Sequence, residues 1–416
     1  MITKVKGTQD FLDLTLFDFV IDQINQHLKV HHFTSIATPI LESTELFKRS
    51  LGTYTDVVNK EMFTINTGPE GESICLRPEV TAPIMRAFME HNIQHTPWKV
   101  FTWGPMFRYE RPQKGRYRQF HQVSIEIIGA QSIAHDVQLL TLLDRFFRQT
   151  LKMNNFALLI NFLGCPADRQ IFNEKLRIFL NGVEDKICPN CRERKEKNIL
   201  RVFDCKVETC KEIYRLAPHT TQHLCQTCSV EWQTLQDALQ LLSITFAVAP
   251  TLVRGLDYYT KTVFEFVSDN LGAQNAFCAG GRYDPLFEQL GGKEPLPSLG
   301  AAIGIERLLL LLEPLKDQLP LPQLPALHVI VPMGPEQQML ALLLADELYA
   351  HNLCTQVLLD GASMKSMMRT ANKLGAQFCL ILGSEEQQNK QVTVKNMVTG
   401  AEEKMLQVEL VRFLKG

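Results

Sequence analysis

The stretch FRYERPQKGRYRQFHQ, Phe107–Gln122, places Arg108, Arg111, Lys114, Arg116 and Arg118 within eleven residues and interleaves them with Tyr109, Tyr117 and Phe120. Pro112 and Gly115 mark a turn, so the stretch reads as a basic hairpin between two extended arms. Such a hairpin suits a nucleotide, because guanidinium forks grip phosphate and aromatic rings stack on a base. A solvated basic loop is the other reading its composition allows. Downstream, Gln122–Ile128 alternates as a strand does: Val123, Ile125 and Ile127 fall on one face, Gln122, Ser124 and Glu126 on the other. The polar face is either solvated or lines a site. Beyond it, Leu140, Leu143, Phe147 and Leu151 recur at helical spacing within His135–Leu151, giving one buried helix face.

Further out, the texture changes twice. From about Pro166 to Ala249 cysteines cluster and charges mix, and extended segments resume around Leu252–Val267, as expected of an insertion within one domain. Glu313–Pro325 (EPLKDQLPLPQLP) reads as a linker, since proline suits neither helix interior nor central strand. After it, Leu327–Val331, Thr355–Leu359, Phe378–Leu382 and Gln391–Lys395 read as strands and Glu336–Asn352 as a helix, the pattern of a small α/β domain.

Composition bounds the class. The chain has 416 residues, 45% hydrophobic and 21% charged, which fits a soluble protein of more than one domain. The leucine run Leu308–Leu312 is far short of the ~20 apolar residues of a membrane span. The first residues lack the apolar core of a signal peptide, so a cytoplasmic protein with reduced thiols is expected. A net charge of −2 neither supports nor excludes nucleic acid. Cys188-Pro-Asn-Cys191 and Cys225-Gln-Thr-Cys228 have the spacing of two zinc half-sites that together complete a tetrahedron, with Cys205 and Cys210 between them. A set of reduced thiols without metal is the alternative.

Arg108-Tyr109-Glu110, the basic loop and Phe120 resemble motif 2 of the class II aminoacyl-tRNA synthetases. AAIGIERLLLLLE, Ala301–Glu313, resembles motif 3, and TSIATPILESTELFKRSLG, Thr34–Gly52, resembles motif 1, whose proline, here Pro39, sits in a homodimer interface. LVRGLDYYTKTVFEF (Leu252–Phe266), AGGRYD (Ala279–Asp284) and RPEVTAP (Arg77–Pro83) are similar to signatures of the histidine-specific members. The resemblance implies an α+β catalytic domain on an antiparallel sheet in two parts, 1–165 and 250–320, an insertion domain at 166–249, and a C-terminal α/β anticodon-binding domain at 326–416. SMKSMMRTANKLGAQFCLILG, Ser363–Gly383, is the most recognisable part of the last. There Lys365, Arg369 and Lys373 recur every four residues as a basic stripe suited to phosphates.

It also implies roles. The histidine site would comprise Glu79, Val80 and Thr81 (many members have glycine at the Val80 position), with Arg108, Gln122, Glu126, Arg254, Tyr258, Tyr259 and Tyr283. Glu79 and Thr81 would hold the α-amino group. ATP would meet Glu110 at the adenine amino group and Arg116 at the γ-phosphate, with Phe120 and Arg307 covering the two adenine faces. Arg108 and Arg254 would carry catalysis at the α-phosphate, with Mg²⁺ on the pyrophosphate side. The activity implied is activation of histidine to its adenylate, then transfer to tRNA(His). The rival is a catalytically silent relative that regulates histidine biosynthesis. Such proteins typically lack the C-terminal domain and lose active-site residues, whereas this chain has both the C-terminal region and Arg254.

Overall fold

The computed structural model describes residues 2–52, 55–66, 68, 71–272, 275–360 and 363–416. They divide into two units, Met1–Leu321 and Pro322–Gly416.

The first unit is built on an eight-stranded sheet. In chain order its strands are Thr34–Ser35 (β1), Trp98–Phe107 (β2), Gln119–Ile128 (β3), Ala157–Phe162 (β4), Phe246–Val248 (β5), Thr260–Val267 (β6), Ala276–Arg282 (β7) and Ser298–Gly304 (β8). Their spatial order is β1-β2-β3-β8-β7-β6-β4-β5. The six inner strands run antiparallel. The edge strands β1 and β5 pair parallel with β2 and β4. A separate sheet joins Leu41–Ser43, Ile74–Leu76 and Phe63–Ile65.

Alternation along β3 has the expected consequence. Val123, Ile125 and Ile127 enter a core with Leu140, Leu143, Phe147 and Leu151 and with the helix Thr15–Val30. The helix expected over His135–Leu151 runs Ala134–Arg145 and then widens into a π-helical turn, Phe146–Thr150, which keeps Phe147 on the core. Gln122, Ser124 and Glu126, on the opposite face, are buried as well. Of the segment expected to be extended from Leu252, only Thr260–Val267 is strand; Leu252–Tyr259 is a loop.

Between β4 and β5 the chain makes an excursion through the helices Pro166–Asn181, Pro189–Lys197, Glu208–Tyr214 and Gln226–Leu241. After β8 the helix Ile305–Leu312 continues as a 3₁₀ turn, Glu313–Gln318, so the first part of the proline-rich stretch is ordered helix.

The second unit has a sheet of His328–Pro332 (β9), Thr355–Val357 (β10), Phe378–Leu382 (β11), Gln391–Asn396 (β12) and Glu402–Leu406 (β13), in the order β10-β9-β11-β12-β13. Helices Pro335–Ala350 and Gln407–Lys415 pack on one face through Ala341, Leu344, Leu348 and Leu410. Helix Met364–Lys373 packs on the other through Met367 and Ala371. The final strand and helix escape pattern reading because Glu402, Glu403 and Lys404 leave β13 no apolar alternation.

One buried ion pair fastens the sheet to its covering helix. Arg282, at the end of β7, is 2% exposed and donates from Nε and Nη2 to the Asp136 carboxylate at 2.6–3.0 Å. Its Nη1 and Nη2 also donate to the carbonyls of Ala130 and Ser132, both at 2.8 Å. Removing one member of such a pair strands the other charge, at a cost of about 3–5 kcal/mol. Arg282→Ala should therefore lose about that much stability in denaturant unfolding. A loss under about 1 kcal/mol would show that Asp136 is satisfied without it.

Candidate active site

The basic hairpin is the link between β2 and β3. Gln113 and Arg116 exchange backbone hydrogen bonds at 3.1 and 2.9 Å around a turn in which Gly115 takes φ +71°. The five cations then separate. Arg111 and Lys114 are exposed. Arg118 stacks on Tyr109 at 3.8 Å and donates to the Glu110 carbonyl at 3.2 Å. Arg116 pairs with the Glu110 carboxylate and approaches Glu61 at 3.9 Å. Arg108 turns inward, where its Nε donates to the Pro78 carbonyl at 2.9 Å and its guanidinium lies 5.4 Å from the Phe120 ring.

Arg108, Glu110, Arg116 and Phe120 line one wall of a cleft of about 230 Å³ on one face of the sheet. Arg307, in the first turn of the helix after β8, closes another wall, donating to the Gly115 carbonyl at 2.9 Å and the Ala276 carbonyl at 2.7 Å. Its neighbour Glu306 accepts from the His121 backbone N–H at 2.8–2.9 Å, tying the helix to β3. Sequence reading did not single out Glu306, although an acid beside the arginine at a helix start was the available signal.

The remaining wall is polar and dry. Glu79 is 3% exposed and accepts from the backbone N–H groups of Thr81 and Ala82 at 2.7 and 3.1 Å, satisfying the start of helix Thr81–Glu90. Gln122 lines the cleft and donates to the Ser124 hydroxyl at 2.8 Å. Glu126 lies one layer below, accepting from the Thr81 hydroxyl at 2.8 Å and from the Tyr283 hydroxyl. Burial pushes its carboxyl up to about 8, against those two hydrogen bonds. Tyr258 and Tyr259 complete this wall, with Tyr283 behind Tyr258 at 5.7 Å. Val80 does not line the cleft; it is fully buried in the core.

Arg254 sits on the loop Leu252–Tyr259 and enters the cleft beside Glu265 of β6, with which it is ion-paired. Its Nε is buried and has no hydrogen-bond partner among the described residues. A guanidinium so placed can donate to one more oxygen. The cleft thus collects four arginines, 108, 116, 254 and 307, from three separate stretches of sequence around buried carboxylates. That arrangement fits a polyanion bound against a small zwitterion.

The cysteines are arranged differently from the sequence expectation. Cys188, Cys191, Cys225 and Cys228 do not form one tetrad. The ligand atoms of Cys188, Cys191, Cys205 and Cys210 lie within 4.8 Å of one another, and Cys165, Asp168, Cys225 and Cys228 form a second such group. Each CxxC pair opens its own helix, Pro189–Lys197 or Gln226–Leu241, and draws its partners from the segment packed on that helix start.

Residues 63–313 match the family model "tRNA synthetase class II core domain (G, H, P, S and T)", and residues 328–416 match "Anticodon binding domain". The histidine–tRNA ligase of Solidesulfovibrio magneticus is 43% identical over 98% of this chain and 95% of its own length. That of Aquifex aeolicus is 40% identical over 98% and 100%. The chain belongs to the histidine–tRNA ligase family. A crystal structure of apo S. aureus histidyl-tRNA synthetase, 32% identical, superposes over the whole of both chains with a TM-score of 0.82. The class II core match contains the basic hairpin, Arg254 and Arg307, so the cleft lies wholly within the part of the chain that defines the family.

Glu126 offers a test that needs no substrate. A carboxyl raised from 4.5 to about 8 takes up a proton on folding. Its contribution is full in acid and is lost as pH rises through that window. Glu126→Gln is uncharged in both states, so its melting temperature relative to wild type should climb between about pH 5 and pH 8 and level off above. A difference that stays flat across the range would mean Glu126 ionises as an ordinary carboxylate.

Proposed function

We propose that the chain activates histidine with ATP to histidyl-adenylate and transfers histidine to the 3′ end of tRNA(His). Support comes from the full-length identity to histidine–tRNA ligases, together with arginines from three stretches meeting in one cleft beside a dry polar wall. The regulatory reading is less supported, because the anticodon-binding region and the cleft arginines are both present.

In this reading ATP lies along the hairpin. Phe120 and Arg307 cover the adenine faces, Glu110 meets the adenine amino group, and Arg116 releases Glu110 to hold the γ-phosphate. Histidine enters against the polar wall, its α-amino group toward Glu79 and Thr81. Gln122, Glu126, Tyr258, Tyr259 and Tyr283 surround the side chain. A pocket that hydrogen-bonds imidazole can reject isosteres lacking those groups by ~10⁴-fold, which removes the need for editing.

No protein nucleophile is required. The histidine carboxylate attacks the α-phosphorus, pyrophosphate leaves, and a tRNA hydroxyl then attacks the adenylate. The protein's part is alignment and charge stabilisation, carried by Arg108 and Arg254. Mg²⁺, which class II synthetases use, would neutralise charge on the pyrophosphate side, and Glu110, Glu265 and Glu306 are cleft carboxylates that would offer it oxygen donors.

The remaining partners follow from the surface. Pro39 is exposed beside the exposed apolar residues Ile40 and Leu41, a patch that a second copy of the chain would cover as a homodimer. Lys365, Arg369 and Lys373 are exposed along helix Met364–Lys373, supporting a contact with tRNA phosphates. Zinc enters only as a structural ion on cysteine thiolates. Among the described residues no helix is long and apolar enough to cross a membrane, and free thiols fit a cytoplasmic setting.

Arg254 gives the sharpest test. Arg254→His should slow histidine-dependent ATP–pyrophosphate exchange roughly 10²–10³-fold, with histidine affinity and melting temperature changing far less. Lysine should restore little, since an ammonium cannot reproduce the planar fork. Joint loss of stability and activity would instead assign Arg254 to holding Glu265.

Truncation after Leu324 removes all but the first three residues of the second unit. Exchange should survive and aminoacylation should fall sharply. Unchanged tRNA affinity in the folded truncated protein would overturn the anticodon-binding assignment.

A further inference from the structure

The excursion between β4 and β5 consists of short helices and turns, and its cysteines converge at two points. We propose that it folds around two structural zinc ions, one held by Cys188, Cys191, Cys205 and Cys210, the other by Cys165, Asp168, Cys225 and Cys228. Tetrahedral zinc with bonds of about 2.3 Å to sulfur sets its donors roughly 3.8 Å apart. The Cys188 and Cys205 sulfurs stand at 3.8 Å, and every donor pair in both groups lies within 4.8 Å.

Each site has outer support of the kind that fixes metal ligands. In the first, the Cys188 N–H donates to the Cys210 sulfur at 3.2 Å and the Val207 N–H to the Cys205 sulfur at 3.4 Å. In the second, the Asp168 carboxylate accepts from the N–H groups of Cys225 at 2.8 Å and Cys165 at 3.1 Å. Asp168 is 2% exposed, lies among three thiols, and forms no ion pair among the described residues. Its two backbone hydrogen bonds, at the start of helix Pro166–Asn181, fix the carboxylate as an oxygen donor facing the thiols. Reduced thiols packed as small hydrophobes account for the burial of Cys191 and Cys210, but not for four sulfurs converging on one point.

The two sites abut the two arms that hold the Leu252–Tyr259 loop. Arg169, next to Asp168, donates to the Tyr259 carbonyl at 2.9 Å. Asn198, just past the helix that carries Cys191, donates to the Asp257 carboxylate at 2.7 Å. Zinc would therefore brace the loop that carries Arg254. The metal count is independent of the ligase reading, and only this coupling rests on it.

The test is metal analysis of full-length protein purified without added zinc, by plasma mass spectrometry with titration of released zinc and free thiols. The expected result is about two zinc ions per chain, about one in Cys205→Ser and about one in Cys225→Ser. Cobalt substitution checks the donor sets without mutation, since a four-thiolate and a three-thiolate site differ in charge-transfer intensity. Less than a tenth of an equivalent, with all eleven thiols reactive on denaturation, would overturn the proposal. So would disulfides within either cluster. One ion, lost only in Cys205→Ser, would overturn the second site; one lost only in Cys225→Ser would overturn the first.

Discussion

A carboxylate kept in the dry middle of a sheet is the constraint on which the rest of the site depends. Glu126 faces Gly300 across the β3–β8 pairing, and a Cβ at 300 would overlap its Oε2. One strand gives up a side chain so that its neighbour can bury an acid. Burial without partners would cost several kcal/mol, so the hydroxyls of Thr81 and Tyr283 close on the two oxygens. Each of those hydroxyls is itself fixed. Tyr283 follows Arg282, which is locked to Asp136 on the far side of the sheet, and the Thr81 N–H is held by Glu79. Glu79, Thr81, Glu126 and Tyr283 therefore form one connected network, and no member can move without leaving another unsatisfied.

The cations obey the complementary rule. Arg108 commits its Nε to a carbonyl, Arg307 commits its Nε and Nη1 to two, and Arg116 and Arg254 rest on carboxylates. Each is positioned before any anion arrives, so little reorganisation remains when charge develops on phosphorus. The ion pairs also limit repulsion among four guanidinium groups sharing one cleft. Burial and mutual repulsion both weaken the Arg307 cation, and its neighbours in that balance are Arg108 and Arg116. A polyanion bound among them relieves the repulsion, which is a physical reason for the cleft to take a triphosphate.

Local pattern carried one strand and its covering helix, because β3 alternates cleanly and its apolar residues meet a helix with matching periodicity; the antiparallel sheet came from the resemblance. The hairpin was legible from Pro112, Gly115 and the arginine spacing alone, but which arginines turn inward was not. Arg108, one residue past β2, lines the cleft, while Arg111, three residues further along the hairpin, is exposed. The roles of residues 79, 126, 254 and 283 were reached through resemblance, since their proximity depends on tertiary contacts up to 157 residues apart. The cysteines show the limit. CxxC spacing reveals two half-sites, whereas their partners, Cys205, Cys210, Cys165 and Asp168, carry no spacing signal and are supplied by tertiary packing.

The Leu252–Tyr259 loop shows why an excursion of this size is placed at the β4–β5 edge. Among the described residues no strand ladder holds the loop; its hydrogen bonds come mainly from side chains on other elements. Asn161 of β4 donates to the carbonyls of Pro250 and Leu252 at 3.1 and 2.9 Å, while Arg169 and Asn198 of the excursion grip Tyr259 and Asp257. Sheet packing fixes Glu265, but the guanidinium opposite it is fixed only as well as these three side chains are. In-line attack at phosphorus tolerates little misplacement, about 1 Å costing as much as 10²-fold. A brace outside the sheet is thus part of the alignment that the chemistry needs, and substitutions far from the cleft at Arg169 or Asn198 act on Arg254 through the loop backbone.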